Sequence, residues 1–317
     1  MITADPPEHT RLRQAVEYAF STQTFDKLHR RVGRSADDLI DRFAVDGSAD
    51  LLTQYARPLA SSVLDELFGV PYEERDALHG WALTLTDSSA ESLATSGAAF
   101  KALHAYMKQL ASDKATCPGS DLVSGLALAP PHHRLDLDEQ ANVLALVHTA
   151  GYETMVNLVA QCLATLLSHP DQRRLYDLRP WLADAIVEET LRFDGPVFTS
   201  SWRFAREDVD IAGVRVRAGD AVICGLAAAN RDPRHFPSPD RFNIAHPARW
   251  HLAFGHGVHQ CFGAPLARLT AEAALDRFFR RLPDVQLAVQ PDAVRYRPSA
   301  TFRSPERVLV TFTPEEP

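Results

Sequence analysis

A mainly α-helical fold with a small β region late in the chain is the class that the sequence predicts. Three observations predict it. Apolar residues recur at helical spacing through the first two thirds, one very long segment carries helix signals at both ends, and β-type alternation begins only after Gly195. Asp5-Pro6-Pro7 leads into a helix over Glu8–Phe20, with Pro7 suited to a first helical turn. Arg30–Ala44 and Leu51–Phe68 follow, the latter stopped by Gly69-Val70-Pro71, and then Glu73–Asp87 and Ala98–Ser112. Cys117-Pro-Gly-Ser is a loop, and Val123–Ala129 is a short helix at best before Pro130-Pro131.

The longest helix is expected from about Asp136 to Ser168. Asp136 and Glu139 have the spacing of a capping box, and His169-Pro170 reads as a stop. Its centre is apolar on most faces, so it should cross the core. Trp181–Phe193 is a further helix, ended by Asp194-Gly-Pro196. Val209–Val216 alternates around Gly213 and reads as a hairpin, and Ala221–Cys224 reads as a strand. Asn230–Pro247 has no periodicity and is expected to be an ordered loop. Pro265–Leu282 is the last helix and Val308–Phe312 the last strand. A single domain over 1–317 is expected, helix-rich over 1–194 and mixed over 195–317.

Composition narrows the function. With 33 Lys and Arg against 41 Asp and Glu, the net charge is −8, which argues against a dedicated nucleic-acid binder. A chain of 317 residues buries roughly three quarters of its unfolded surface, enough to enclose a water-poor site. Cys117, Cys162, Cys224 and Cys261 lack paired spacing, so a reducing compartment with one functional cysteine is expected rather than a disulfide framework. The opening residues have neither a charged nor an apolar leader region, and polar residues interrupt the Ala141–Leu167 stretch. The reading is a cytoplasmic protein with no leader and no membrane span.

The densest chemistry lies in Phe254-Gly-His-Gly-Val-His-Gln-Cys261-Phe-Gly263-Ala-Pro265. Glycines at 255, 257 and 263 permit positive φ and close backbone approach. Cys261 stands just before a helix opened by Pro265, where free amide N–H groups favour a thiolate. Such a sulfur is a metal ligand, a nucleophile using His259 or His256 as base, or simply a buried cysteine in a turn. A zinc site from His256, His259 and Cys261 lacks the usual second cysteine.

The segment resembles the signature of the cytochrome P450 superfamily, Phe-x-x-Gly-x-x-x-Cys-x-Gly, at Phe254, Gly257, Cys261 and Gly263. The resemblance implies a haem-thiolate monooxygenase with Cys261 as axial ligand of haem b, whose thiolate favours O–O cleavage. Further motifs follow in family order. Glu189-Thr-Leu-Arg192 matches the Glu-x-x-Arg of the family, and the resemblance adds Arg241, in Pro239-Asp-Arg-Phe242, as third member of a buried structural triad. Without it, Glu189 and Arg192 read as a helical ion pair worth under about 1 kcal/mol. Glu153 and Thr154, in Ala150-Gly-Tyr-Glu-Thr, correspond to the acid–alcohol pair that guides protons where the long helix is locally distorted. On residues alone, Thr154 bonds back to Ala150 and Glu153 finds a buried partner. His9 and Arg13, at i and i+4, together with Arg203 and His259, become haem-propionate ligands by the same resemblance.

The family normally carries further elements before the Asp-Pro-Pro segment. The resemblance therefore implies a shortened fold without the opening strands and lid, with open strand edges and a wetter iron site. A smaller departure is Thr270, where relatives often carry Glu. The implied reaction is hydroxylation or epoxidation of an organic small molecule in secondary metabolism. Its electrons come from NAD(P)H through ferredoxin reductase and ferredoxin, with Arg249, His251, His256 and Arg268 as a docking patch. Phe198, Thr199, Ser200 and Ser201 should give the pocket a mixed lining. The alternatives are an impaired interaction module that recruits a partner protein, and a zinc- or cysteine-dependent hydrolase.

Overall fold

The computed structural model describes residues 1–20, 22–86, 89–245 and 250–316. Helices occupy most of the chain up to Asp194, in the order α1 (Glu8–Ala19), α2 (Thr22–Asp41), α3 (Arg57–Phe68), α4 (Arg75–Thr86), α5 (Ala90–Thr116), α6 (Leu122–Ala127), α7 (Leu137–Leu167), α8 (Pro170–Leu178) and α9 (Ala183–Asp194). Strand β1 (Ser48–Asp50) interrupts them. After α9 come β2 (Arg203–Phe204), β3 (Val209–Ile211), β4 (Val214–Val216), β5 (Ala221–Val222), α10 (Leu226–Ala229), α11 (Ala264–Arg281), β6 (Gln286–Leu287) and β7 (Leu309–Thr311). The mainly α prediction with a late β region is met.

The axis of the fold is α7. Asp136 caps it, its carboxylate accepting from the Glu139 amide at 2.8 Å while Glu139 accepts from the Asp136 amide at 3.0 Å. Leu144, Ala160, Leu163 and Leu166 are fully buried, so the helix runs through the core. α7 is the one helix among the described residues with the length and apolar character of a membrane span, and it is largely buried inside the protein. His169-Pro170 ends α7 as expected, yet Pro170 also opens α8, a helix the sequence reading omits. Proline fits a first turn, where its missing N–H is not needed.

The Leu51–Phe68 prediction divides into a π-helical turn over Leu52–Ala56 and α3. Gly69, at φ +64, closes α3 in the left-handed region. β1 has no counterpart in the sequence reading. It pairs antiparallel with β7, Ser48 opposite Thr311, in a sheet of order β1-β7-β6. The predicted hairpin is present as β3–β4, Val209 opposite Val216, and the predicted strand at Ala221 pairs with β2. These two ribbons leave Phe204 and Val214 exposed.

Candidate functional site

The cysteine loop hangs between two fixed points. The Cys261 amide donates to the Phe254 carbonyl at 2.9 Å, closing the loop, and α11 begins at Ala264. Gly255 and Gly257 hold φ +71 and +78, which only glycine adopts cheaply. Gly263 does not use that freedom: its φ is −78, and an added Cβ there would lie 3.7 Å from the Cys261 sulfur. Its amide, with that of Ala264, acts electrostatically in favour of a thiolate at Cys261.

Those amides do not by themselves make a thiolate, contrary to the expectation for this helix start. Cys261 is exposed, yet the protein flanking its sulfur pushes the thiol up. The amides of Gly263 and Ala264, with the cations Arg13 and Arg268, oppose that push without overcoming it. A bound cation would complete the stabilisation. Among the described residues no three His, Cys, Asp or Glu side chains converge on a point, so His256, His259 and Cys261 do not form a ligand set by themselves. Cys162, by contrast, is enclosed within α7, and burial takes its thiol up to about 12.

Cations gather beside the loop. Arg13 in α1 donates from one guanidinium nitrogen to the carbonyls of Val258 at 3.0 Å and Gln260 at 2.6 Å, and its Nε reaches Glu17 at 2.7 Å. The His9 ring lies 4.2 Å from the His259 ring between centroids, and buried His9 leaves Nδ1 without a partner. Burial lowers the pKa of both imidazoles. Arg13 adds to this at His9, while His9 and Arg203 add to it at His259. Arg203 donates to Ser201 Oγ at 3.0 Å. Four basic side chains from three separated segments thus meet with one carboxylate, Glu17, in hydrogen-bond reach of Arg13. An unpartnered imidazole nitrogen and two guanidinium groups, beside imidazoles that an anion would help to protonate, suit a dianionic group, as the two carboxylates of a haem are.

On α7, Ala150 is exposed while Leu144, Val156 and Leu158 are buried. The exposed Cys261 and the bases beside it fit a group that offers a metal ion and two acids. The neighbouring acid–alcohol pair is held otherwise than the family pattern implies. α7 runs without distortion through 150–154, and Thr154 Oγ1 donates to the Ala150 carbonyl at 2.7 Å. Glu153 is buried and takes hydrogen bonds from Ser304 Oγ at 2.8 Å, Asn157 Nδ2 at 3.1 Å and the Arg297 guanidinium. Arg297, Ser304 and Asn157 escaped the sequence reading; the polar breaks at Glu153, Asn157 and Gln161, spaced i, i+4 and i+8 on an apolar helix, were the available signal.

Glu189 and Arg192 pair twice, at 2.7 and 2.9 Å, and both are buried. The remaining donors of Arg192 reach the carbonyls of Asn230, Pro239 and Arg241, and Glu189 also accepts from the Asn243 amide. Arg241 enters this bracket through its carbonyl, not its guanidinium. The residue is exposed, which corrects the expected triad of side chains. Glu189 is instead completed by Arg192 and the Asn243 amide.

The expected docking patch is also altered. Arg249 lies outside the described residues. Arg268 Nε and His251 Nε2 both bind Glu188, at 2.5 and 3.3 Å. Burial alone would raise that carboxyl, but the two bases hold it down to about 2. Only His256 of the four predicted residues is exposed without an ion pair among the described residues. Thr199 and Ser200 donate their hydroxyls to the carbonyls of Ala300 and Ser201, so the 198–201 segment offers fewer free donors than its composition suggests.

Comparison with known proteins supplies the class. Residues 181–296 match the family model for cytochrome P450. The chain is 41% identical over 316 residues to the vitamin D(3) 25-hydroxylase of Pseudonocardia autotrophica, covering 99% of this chain and 78% of that one. It is 40% identical over 309 residues to the cytochrome P450 monooxygenase PikC of Streptomyces venezuelae, covering 96% and 73%. The structure of the polyketide synthase cytochrome P450 PksS from Bacillus subtilis 168 superposes with a TM-score of 0.93 at 34% identity, over 98% of this chain and 80% of that one. Fold and relatives together define a haem-dependent oxidoreductase. The chain belongs to the cytochrome P450 family and is a monooxygenase of small organic molecules.

Proposed function

We propose that Cys261 is the axial ligand of a haem b whose propionates are held by His9, Arg13, Arg203 and His259. Phe254, Gly257 and Gly263 shape the loop, Glu153 and Thr154 move protons on the distal side, and Glu189, Arg192 and the Arg241 carbonyl brace the frame. The observation that supports the reading is the cysteine loop, closed by the Cys261 amide on the Phe254 carbonyl just before α11, with a cluster of four bases beside it. Haem so bound supplies the activation of dioxygen and the oxidation of a C–H or C=C bond. The protein residues exclude water, orient the ring by its acids and carry protons to the site.

The electrons are drawn from NAD(P)H through a ferredoxin reductase and a ferredoxin, and the reaction takes place in the cytoplasm. The substrate class is a mid-sized, partly polar natural-product intermediate. In support, one relative hydroxylates vitamin D(3) and another serves polyketide biosynthesis. The impaired-module alternative has no feature in its favour, because a scaffold needs neither the cysteine loop nor the cationic cluster. Reduction with dithionite under carbon monoxide tests the reading: the wild type gives the red-shifted Soret band of a thiolate adduct and Cys261→Ser does not. A wild type without that band overturns it. Substrate-induced spectral shifts across a metabolite library then define the substrate.

A further inference from the structure

The three donors that hold Glu153 all fall on one of its two oxygens. Ser304 Oγ, Asn157 Nδ2 and Arg297 Nη2 each reach Oε1. Among the described residues no donor reaches Oε2. Nor is Oε2 one of the buried unpartnered atoms, so it keeps solvent contact. Three donors saturate the lone pairs that a carboxylate oxygen offers, which makes Oε1 a poor seat for a proton.

Two of those donors come from one antiparallel segment. The Arg297 amide donates to the Ser304 carbonyl at 2.8 Å, and Tyr296 lies opposite Pro305. This pairing sets Arg297 and Ser304 side by side. Gln161, two turns beyond Glu153 on α7, fastens the same segment by donating to the Arg303 carbonyl at 2.7 Å. Asn157 ties the set together, reaching Ser304 Oγ at 2.7 Å as well as Glu153. The segment at 296–305 is therefore docked along α7 by one polar row, with Glu153 at the end nearest the exposed Ala150.

We propose that Arg297 and Ser304 are positioning residues for proton delivery: they anchor Glu153 through Oε1 and leave Oε2 as the oxygen that carries the proton. In each cycle Oε2 takes a proton from water and releases it on the site side, regenerating the carboxylate. Arg297 balances the charge of that carboxylate while Oε1 stays in place. The alcohol of Thr154 donates to the Ala150 carbonyl and keeps its acceptor lone pairs, so it serves beside the acid as an acceptor. This inference rests on the haem-thiolate reading above.

The test uses holoenzyme variants Arg297→Ala, Arg297→Lys, Ser304→Ala and Glu153→Gln. NADPH-driven oxygen consumption is measured with a ferredoxin and its reductase, in H2O and in D2O, and peroxide release is assayed. Arg297→Ala and Ser304→Ala are expected to slow consumption about tenfold and to share the altered solvent isotope effect of Glu153→Gln, with Arg297→Lys regaining most of the loss. Arg297→Ala added to Glu153→Gln should slow it no further. A second readout needs no turnover: in thermal unfolding the Arg297→Ala and Glu153→Gln losses should be non-additive. Wild-type rates and isotope effects in both Ala variants overturn the proposal, as do additive unfolding losses. Absence of the thiolate carbon monoxide spectrum in the wild type counts against the haem reading instead, and the unfolding cycle still decides the anchor.

Discussion

Arg192 grips Glu189 with two parallel hydrogen bonds, Nε to Oε2 at 2.9 Å and Nη2 to Oε1 at 2.7 Å, and each side chain is 3% exposed. Buried this deeply, the pair differs in kind from the surface ion pairs that the same i, i+3 spacing usually produces. Its strength lies in the three carbonyls and one amide that complete it, which join α9 to the 230–243 segment. Removing one partner leaves a buried charge alone. Arg192→Ala and Glu189→Gln are each expected to cost about 3–5 kcal/mol in unfolding free energy. Arg192→Lys should rescue little, since an ammonium cannot reproduce the planar fork. Urea titration measures all three, and a loss below 1 kcal/mol in both of the first two variants refutes the role.

A second prediction concerns His148, which faces Phe68 from α7 with both ring nitrogens buried and unpartnered. Burial, aided by His79, lowers its pKa from 6.5 to about 3. Between those values the unfolded chain binds a proton that the native protein refuses. Stability is therefore whole above pH 6.5 and falls as pH drops toward 3, by as much as about 1.4 kcal/mol per pH unit from this one group. His148→Leu removes the titration and the unsatisfied nitrogens, so it should flatten the acid limb and raise stability near neutrality by about 1–3 kcal/mol. Unfolding midpoints from pH 4 to 7 read both effects. An unchanged acid slope in the variant rejects the assignment.

What the sequence shows and what it hides follow from range. The capping box at Asp136 and Glu139, the β3–β4 hairpin and the glycine-rich loop before Cys261 are local, fixed within a few residues by backbone geometry, and they read correctly. β1 could not be read, because Ser48-Ala49-Asp50 becomes a strand only by meeting Leu309–Thr311 at the far end of the chain. The site divides the same way. Spacing pairs Glu189 with Arg192, but nothing local says that Arg241 offers a carbonyl instead of a guanidinium. Glu153 visibly needed a buried partner; that Arg297 and Ser304 supply it depends on a segment more than a hundred residues downstream. Glu188, which neutralises two members of the predicted docking patch, was overlooked because its partners come from 251 and 268.

Gly257 gives a third prediction. At φ +78, with no atom within 4 Å of a built Cβ, the position has room for a methyl group but not the right backbone energy. Gly257→Ala should cost about 1–2 kcal/mol, confined to the loop. The expected readout is a shifted thiolate carbon monoxide band or lower haem content, with the urea midpoint of the helical core little changed. Full haem content and a wild-type spectrum in Gly257→Ala show that the loop does not need this conformation.

Arg13 joins α1 to the cysteine loop through two carbonyls while adding its charge to the cluster around His259, so it carries two functions that can be separated. Arg13→Lys keeps the charge and loses the fork, whereas Arg13→Ala loses both. Hydrogen bonds to a charged group contribute about 1.5–3 kcal/mol each, so the alanine variant should release haem to apomyoglobin at least about tenfold faster than the wild type. If electrostatic attraction to the propionates dominates, the lysine variant falls close to the wild type and raising the salt concentration narrows its advantage over alanine. If loop bracing dominates, lysine resembles alanine and salt has no effect. Equal release rates for all three proteins remove Arg13 from the haem site altogether, leaving His9, Arg203 and His259 to hold the acids.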